Sequence, residues 1–369
     1  MRIVILANAG IGLFKFRKEL VEKLCKEHEV FIVLPEDEFT ESFISLGCNF
    51  IKFEFNRRGT NPIADLNQIS RYKKILKDIE PDIVLTYTIK PNIYGGLACQ
   101  STHIPYIANV TGLGTTIENG GLMSFISTTL YKIGLKKASC VFFQNKENRK
   151  LFEDKKIVKG KTRLIPGSGV NLSTHYYEEY PSTTDGIRFL FVGRLMKDKG
   201  IGELFEAIKD IHSERPDVTL DIVGWSDEDY SAPLKEVEEA GAVHYHGLQP
   251  DVHPFYANCH CVVLPSYHEG MANVMLEASA TGRPVITTKV PGCQETFDEG
   301  VTGFGCVVKN KDSLVEAMRR FIALNDSEKA NMGKHARSKI EREFDRQIVL
   351  DAYETEIKAY SIGPRKLAD

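Results

Sequence analysis

The residues best suited to chemistry fall in two short segments. The first is His268-Glu269-Gly270-Met271-Ala272-Asn273-Val274-Met275-Leu276-Glu277-Ala278. It follows an apolar run at 261–265 and opens a helical pattern, so Ala272, Asn273 and Val274 fall at a helix N-terminus. Amides there lack an intrahelical acceptor, and with the positive end of the helix dipole they suit a diphosphate. Glu277, one turn on, can accept two hydrogen bonds from vicinal ribose hydroxyls. Glu269, just before the turn, can reach the hydroxyls of a sugar. Taken singly, each acid reads better as a solvated surface glutamate. The second segment, Phe191-Val192-Gly193-Arg194-Leu195-Met196-Lys197-Asp198-Lys199-Gly200-Ile201, changes that balance. Gly193 permits a tight turn, while the planar fork of Arg194 and the mobile charge of Lys199 can converge on phosphate oxygens.

Something must position these segments. Short apolar runs alternate with amphipathic stretches throughout, the pattern of βα units and a mainly parallel sheet. Strands are expected at 2–7, 30–34, 49–53, 83–87, 106–110, 140–144 and 162–165, with helical patterns such as 16–27 and 67–79 between them. A second series runs 187–192, 219–223, 243–246, 261–265, 284–288 and 303–308. The aperiodic stretch 171–186 reads as a linker. The expected class is α/β, with Rossmann-like domains at 1–170 and 187–345 and a C-terminal helix at 346–369. Asp326-Ser327-Glu328 signals the start of the helical tail. In such sheets ligands lie beyond the carboxyl ends of the strands, facing a cleft.

A length of 369 residues favours two domains of roughly 170 residues each. The 42% hydrophobic and 26% charged fractions are those of a soluble globular protein. A net charge of −3 lacks the basic excess of a nucleic-acid binder. No stretch approaches the ~20 continuous apolar residues of a membrane span. The apolar start runs from Met1 to Ala7 and then into Phe14-Lys15-Phe16-Arg17 without a cleavage region, so a buried first strand is expected rather than a signal peptide. Eight cysteines without repeated spacing point to buried thiols in a reducing cytoplasm.

Further candidates are less specific. The loop 8–14 contains Gly10 and Gly12, which would let backbone approach a donor sugar or phosphate. As a dinucleotide fingerprint it fails, because Lys15 stands where the third glycine belongs. The stripe Leu122, Ile126, Leu130 and Ile133, followed by Lys132, Lys136 and Lys137, fits a helix packed on its own domain or one lying on an anionic membrane. Cys259-His260-Cys261 offers zinc-type ligands, but strand alternation turns His260 away and no second pair completes a tetrahedral site. Asp227-Glu228-Asp229, in a polar loop after Gly224, is expected to face solvent.

Gly-Arg-x4-Lys-Gly followed by Glu-x7-Glu resembles the retaining family 4 glycosyltransferases over nearly the whole chain. With Gly241-Ala242-Val243-His244-Tyr245-His246-Gly247, Asn258-Cys259, Val263-Leu264-Pro265-Ser266-Tyr267 and Tyr131-Lys132, it is most similar to bacterial enzymes that move N-acetylgalactosamine or galactose onto polyprenyl-diphosphate-linked glycans. The resemblance implies the GT-B fold: two Rossmann-like domains with parallel sheets facing a central cleft, and C-terminal helices returning to the first domain. It implies an acceptor-binding first domain and a second domain that binds a UDP-sugar, with UDP-GalNAc or UDP-Gal favoured. Arg194 and Lys199 would then bind the diphosphate, Glu277 the ribose, and Glu269 the donor sugar, the first two acting with Glu269 in catalysis.

It also implies no metal or other cofactor, since the two cations offset the leaving group's charge. Retention would rest mainly on electrostatic stabilisation of the departing diphosphate. No facing carboxylate pair of the retaining-glycosidase type is evident. The implied partners are a lipid-linked glycan acceptor, with Arg57 and Arg58 on its diphosphate, and the cytoplasmic face of the inner membrane. The sequence departs from many relatives in one place. They carry a histidine in the loop after strand 106–110, where this chain has Thr111-Gly112-Leu113-Gly114. A UDP-sugar 2-epimerase and an inert nucleotide-sugar-binding relative remain as other readings of the same fold.

Overall fold

The computed structural model describes residues 1–54, 62–112 and 121–360. The chain divides into two compact units, Met1–Ser168 with Gln347–Asp369, and Gly169–Arg346. In the first, β1 (Arg2–Leu6), β2 (Glu29–Leu34), β3 (Asn49–Lys52), β4 (Ile83–Tyr87), β5 (Tyr106–Val110), β6 (Cys140–Phe143) and β7 (Thr162–Leu164) form a parallel sheet ordered β3-β2-β1-β4-β5-β6-β7. In the second, β8 (Ile187–Val192), β9 (Val218–Val223), β10 (Val243–Tyr245), β11 (Cys261–Leu264), β12 (Val285–Thr288) and β13 (Gly303–Cys306) are ordered β10-β9-β8-β11-β12-β13. Strands such as β4, β5 and β11 are buried along their whole length, as expected of parallel strands covered on both faces, which is why they read as unbroken apolar runs. Both orders reverse once, at β1/β4 and β8/β11, and ligands in this class of sheet collect at that switch point.

The helices that matter here are α1 (Gly10–Glu27), α2 (Gly121–Gly134), α3 (Ile201–Glu214), α4 (Asn273–Ala280), α5 (Asp326–Glu343) and α6 (Arg346–Lys358). Helix α1 begins at Gly10, not after Phe14, so the expected loop 8–14 is largely its first turns. The Asp37 carboxylate accepts from the Gly10 N–H at 2.7 Å, satisfying an orphan amide at the positive helix end. The N-cap of α5 is Asn325, one residue before the expected signal. Its side chain accepts from Glu328 N at 2.9 Å, and the Glu328 carboxylate accepts from Asn325 N at 2.8 Å, a reciprocal capping box.

The tail breaks at 344–345, and α6 then completes the first unit: Val349, Ala352, Tyr353 and Ile357 are buried in its core. Glu356, nearly buried, pairs with Lys161 at 2.8 Å and Arg163 at 3.2 Å. Residues 361–369 of the expected helix lie outside the described residues.

The 171–186 stretch is a strap on the second unit rather than a free linker. Arg283, fully buried, holds it: its guanidinium donates to the carbonyls of Glu178 and Glu179 on the strap and of Tyr256, Ala257 and Gly282 beneath it. Tyr180 adds a bond from its hydroxyl to His260 O at 2.8 Å.

His260 is buried, and Nδ1 accepts from Arg188 N at 2.9 Å while Nε2 donates to Ser182 O at 3.0 Å. The imidazole is therefore the neutral Nε2–H form, with both ring nitrogens committed to backbone partners. Burial holds its pKa below the ordinary 6.5. Below pH 6.5 the unfolded chain takes up a proton that the folded chain resists. This contribution is therefore present above 6.5 and is lost as pH falls beneath it, at no more than about 1.4 kcal/mol per pH unit. His260→Gln, which keeps an acceptor and a donor, should show a shallower loss of stability in urea titrations between pH 7 and 5. An unchanged slope would assign that loss to other groups.

Candidate active site

The two segments singled out by their chemistry meet at the β8/β11 switch point of the second unit. β8 is followed by Gly193, whose φ of +156° suits glycine. The tighter constraint falls on Gly224, at the end of β9: its φ is +148°, and a Cβ there would lie 1.8 Å from Gly193 O. The Gly193 N–H donates to Val223 O and the Gly224 N–H to Gly247 O, which locks three strand-end turns together. This close approach was not legible in the sequence.

Arg194 leaves that turn and donates to the Asp227 carboxylate at 2.7 Å. Asp227 is thus exposed, as expected, and is also the partner of Arg194. Its loop is tied down by Asp227 N to Leu195 O, and the neighbouring Glu228 carboxylate accepts from Lys197 N at 2.9 Å. Asp229 also lies at the surface, where bonds from Ser231 hold its carboxyl below the usual range.

Lys199 forms an ion pair with Glu269, both side chains largely buried, and the Ser266 hydroxyl donates to the same Glu269 oxygen at 2.9 Å. Two further contacts fix these segments: Tyr267 N donates to Asp198 O at 2.9 Å, and the Tyr267 hydroxyl donates to Glu203 of α3 at 2.6 Å. Gly200, at φ +68° and with no room for a Cβ against Pro265 O, lets α3 start against the end of β11.

The helix N-terminus is less open than the sequence suggested. The Ala272 N–H donates to Gly292 O at 2.7 Å, where the chain folds back onto the turn, and the Asn273 N–H donates within the turn to Met271 O at 2.9 Å. Of the three expected amides, Val274 is the one without such a backbone partner among the described residues. The Asn273 Oδ1 is buried and also has no partner there. Glu277, on the next turn of α4, accepts a bond from the hydroxyl of fully buried Tyr256 at 2.9 Å. Burial, reinforced by that carboxylate, pushes the Tyr256 pKa well up, so the phenol remains a donor. Tyr256 was missed by motif reading, since an aromatic in an apolar helix gives no signal of its bond.

The first-unit candidates fare differently. The Gly10 N–H is taken by Asp37, and a Cβ on Gly10 would overlap that carboxylate, whereas Gly12 has open space around it. Arg57, Arg58 and the 113–114 part of the expected loop lie outside the described residues. In α2 the expected stripe is split: Leu130 packs on the core, Ile126 and Ile133 do not, and the Leu122 side chain lies outside the described ones. Ser124 and Tyr131 are buried, and Gly134 packs so closely on Ile93 that a Cβ would lie 2.7 Å from its Cα. Phe125, Ile126 and Ile133 instead point outward at 70%, 39% and 46% exposure, on the same side as exposed Lys132, with exposed Lys136 and Lys137 just beyond the helix.

Comparison with known proteins places this fold. Residues 175–339 match the family model of glycosyl transferases group 1, and residues 2–145 match glycosyl transferase 4-like. The N,N'-diacetylbacillosaminyl-diphospho-undecaprenol alpha-1,3-N-acetylgalactosaminyltransferase of Campylobacter jejuni is 30% identical over 96% of this chain and 97% of its own. The capsular polysaccharide biosynthesis glycosyltransferase CapM of Staphylococcus aureus is 27% identical over 95% of each chain. Among solved structures, HepE of Anabaena in complex with UDP and glucose superposes with a TM-score of 0.79 at 19% identity, covering 97% of this chain and 100% of that one. The chain belongs to the family 4 group of glycosyltransferases with the GT-B fold. It is a glycosyltransferase of two Rossmann-like units.

Proposed function

We propose that this enzyme transfers a hexose or N-acetylhexosamine, with UDP-GalNAc or UDP-Gal favoured as donor, to a polyprenyl-diphosphate-linked glycan with retention at the anomeric carbon. The carrying observation is the gathering of Arg194, Lys199, Glu269 and Glu277 around the carboxyl ends of β8 and β11. The Campylobacter relative, named for an undecaprenyl-diphosphate-linked acceptor, supports the acceptor class. The UDP complex of HepE supports the nucleotide.

In this reading the second unit binds the donor and the first the acceptor. Arg194 and Lys199 take the diphosphate, the Val274 amide adds a donor at the helix N-terminus, and Glu277 takes the ribose. Glu269 bonds Lys199 and Ser266, so it anchors the sugar and aligns the lysine. Stabilising the departing diphosphate is then the main catalytic contribution. Calorimetric titration with UDP and a panel of UDP-sugars, with and without magnesium, tests the reading. Binding of UDP that is indifferent to magnesium is expected, and no affinity for any uridine nucleotide would overturn it.

The same reading makes the protein peripheral to the cytoplasmic face of the inner membrane, where such an acceptor is held. Among the described residues no helix is long and apolar enough to cross a membrane. The outward side of α2 and the turn after it combine exposed Phe125, Ile126 and Ile133 with Lys132, Lys136 and Lys137, as an interfacial helix requires. At about 1 kcal/mol per lysine near an anionic surface, reversing all three to Glu should lower vesicle affinity by about 100-fold or more. Co-sedimentation with anionic vesicles that is unchanged in this variant would remove α2 from the membrane.

A further inference from the structure

In the first unit, buried polar atoms without partners concentrate at the carboxyl ends of β4 and β5, on the sheet face covered by α1 and α6. Arg17, on the buried side of α1, is only 4% exposed. Its Nη1 donates to the carbonyl of the neighbouring Phe16 at 2.8 Å and its Nε has no partner. Among the described residues no carboxylate forms an ion pair with it. Its guanidinium carbon stands 5.6 Å from the ring centre of Tyr87 and 5.9 Å from that of Tyr353.

The neighbours share this condition. Tyr87, the last residue of β4, is 5% exposed, and its hydroxyl has Arg17 and Tyr353 nearby without a well-formed hydrogen bond to either. Asn109, on β5 and 1% exposed, donates from Nδ2 to the Tyr353 hydroxyl at 2.6 Å, but nothing bonds its Oδ1. Next in the chain after Tyr87, Thr88 is held at φ +71°, a costly backbone state for a β-branched residue, and its buried Oγ1 also lacks a partner.

Ring faces soften the burial of a guanidinium but do not neutralise it. Several unsatisfied atoms from α1, β4 and β5 in one place require a common explanation. The place is beside the β1/β4 switch point, where this sheet class binds ligands.

We propose that Arg17, Tyr87, Thr88 and Asn109 form a second binding site, for a sugar joined to a phosphate. Arg17 supplies the charge for a phosphoryl oxygen, the Tyr87 and Thr88 hydroxyls donate beside it, and Asn109 Oδ1 accepts from a sugar hydroxyl. Assigning that group to the sugar-diphosphate end of the lipid-linked acceptor rests on the function proposed above. The chemistry of the site does not.

The experiment has two arms. In an Arg194→Ala, Lys199→Ala chain, where the donor cations are gone, N-acetylglucosamine 1-phosphate should raise the melting temperature. Adding Arg17→Gln should abolish that rise, and adding Tyr87→Phe, which leaves packing and charge intact, should reduce it. No rise, or a rise that survives Arg17→Gln, overturns the site. Should Arg17→Gln fail to fold, Tyr87→Phe and Arg17→Lys carry the comparison, and a rise undiminished in both overturns it equally.

In the second arm, Arg17→Gln with an intact donor site should raise KM for an undecaprenyl-diphosphate-linked acceptor about tenfold while UDP affinity stays the same. A melting response with no change in acceptor KM keeps the site and assigns it to a free sugar phosphate. If the unsubstituted protein binds no uridine nucleotide, the function proposed above fails, and the first arm still decides on this site.

Discussion

Lys199→Ala is expected to weaken UDP binding by roughly 10- to 100-fold, the equivalent of one charge-assisted hydrogen bond of about 1.5–3 kcal/mol, and to lower kcat/KM at least as far. Two effects add. The substitution removes a cation, and it leaves the Glu269 carboxylate, 15% exposed and bonded to Ser266, without its counter-charge where a diphosphate would approach. Glu269→Gln in the same chain should therefore recover part of the lost UDP affinity while leaving turnover low. Arg194→Ala should cost less, because Arg194 is 43% exposed and shares its charge with Asp227. Calorimetry and steady-state kinetics on the three variants check this. UDP affinity unchanged in Lys199→Ala would dismiss the diphosphate assignment.

Arg283→Met should destabilise the second unit by about 3–5 kcal/mol, the scale expected when several buried carbonyls lose their donor at about 1–3 kcal/mol each and partly relax. The side chain is fully buried and serves five backbone carbonyls, so the loss falls on the strap and on the helix end at Tyr256 and Ala257 together. Arg283→Lys should recover little, since a compact ammonium cannot span carbonyls that the planar fork reaches. Urea unfolding gives the measurement. A loss below about 1 kcal/mol would mean that the strap is held mainly by Tyr180 and its neighbours.

How far the fold could be read depended on what each element leaves in the sequence. The strands of both sheets were legible because burial on two faces demands unbroken apolar runs, and their spacing gave two Rossmann-like units. Turns whose demands are three-dimensional were not. Gly224 looks like any loop glycine until Gly193 O is seen beside it. The α1 start was hidden because its cap is a carboxylate from a distant loop, Asp37, instead of a residue next to Gly10.

The candidate site followed the same division. Arg194, Lys199, Glu269 and Glu277 were found from residue type and spacing. Asp227 and Tyr256, which bond two of them, were not, because a polar loop acid and a helical tyrosine carry no local mark of their partners. In α2 the apolar stripe left two readings open, and the structure divides it: Leu130 packs on the core beside Tyr131 and Gly134, while Ile126 and Ile133 are left outside.

The return of α6 to the first unit has a consequence for how the protein is made. That unit's core includes Val349, Ala352, Tyr353 and Ile357, which leave the ribosome after the whole of the second unit. At roughly 5–20 residues per second, the intervening chain takes on the order of ten to forty seconds to emerge. For that interval the earlier half exposes an apolar surface on the α1 side of its sheet, while the later half has every strand it needs before α6 emerges. The nascent first unit is therefore the natural client for a chaperone. Loss of the last turns of α6 would strand it in that state, sparing the Arg194–Glu277 region but not the Arg17 cluster, to which Tyr353 belongs.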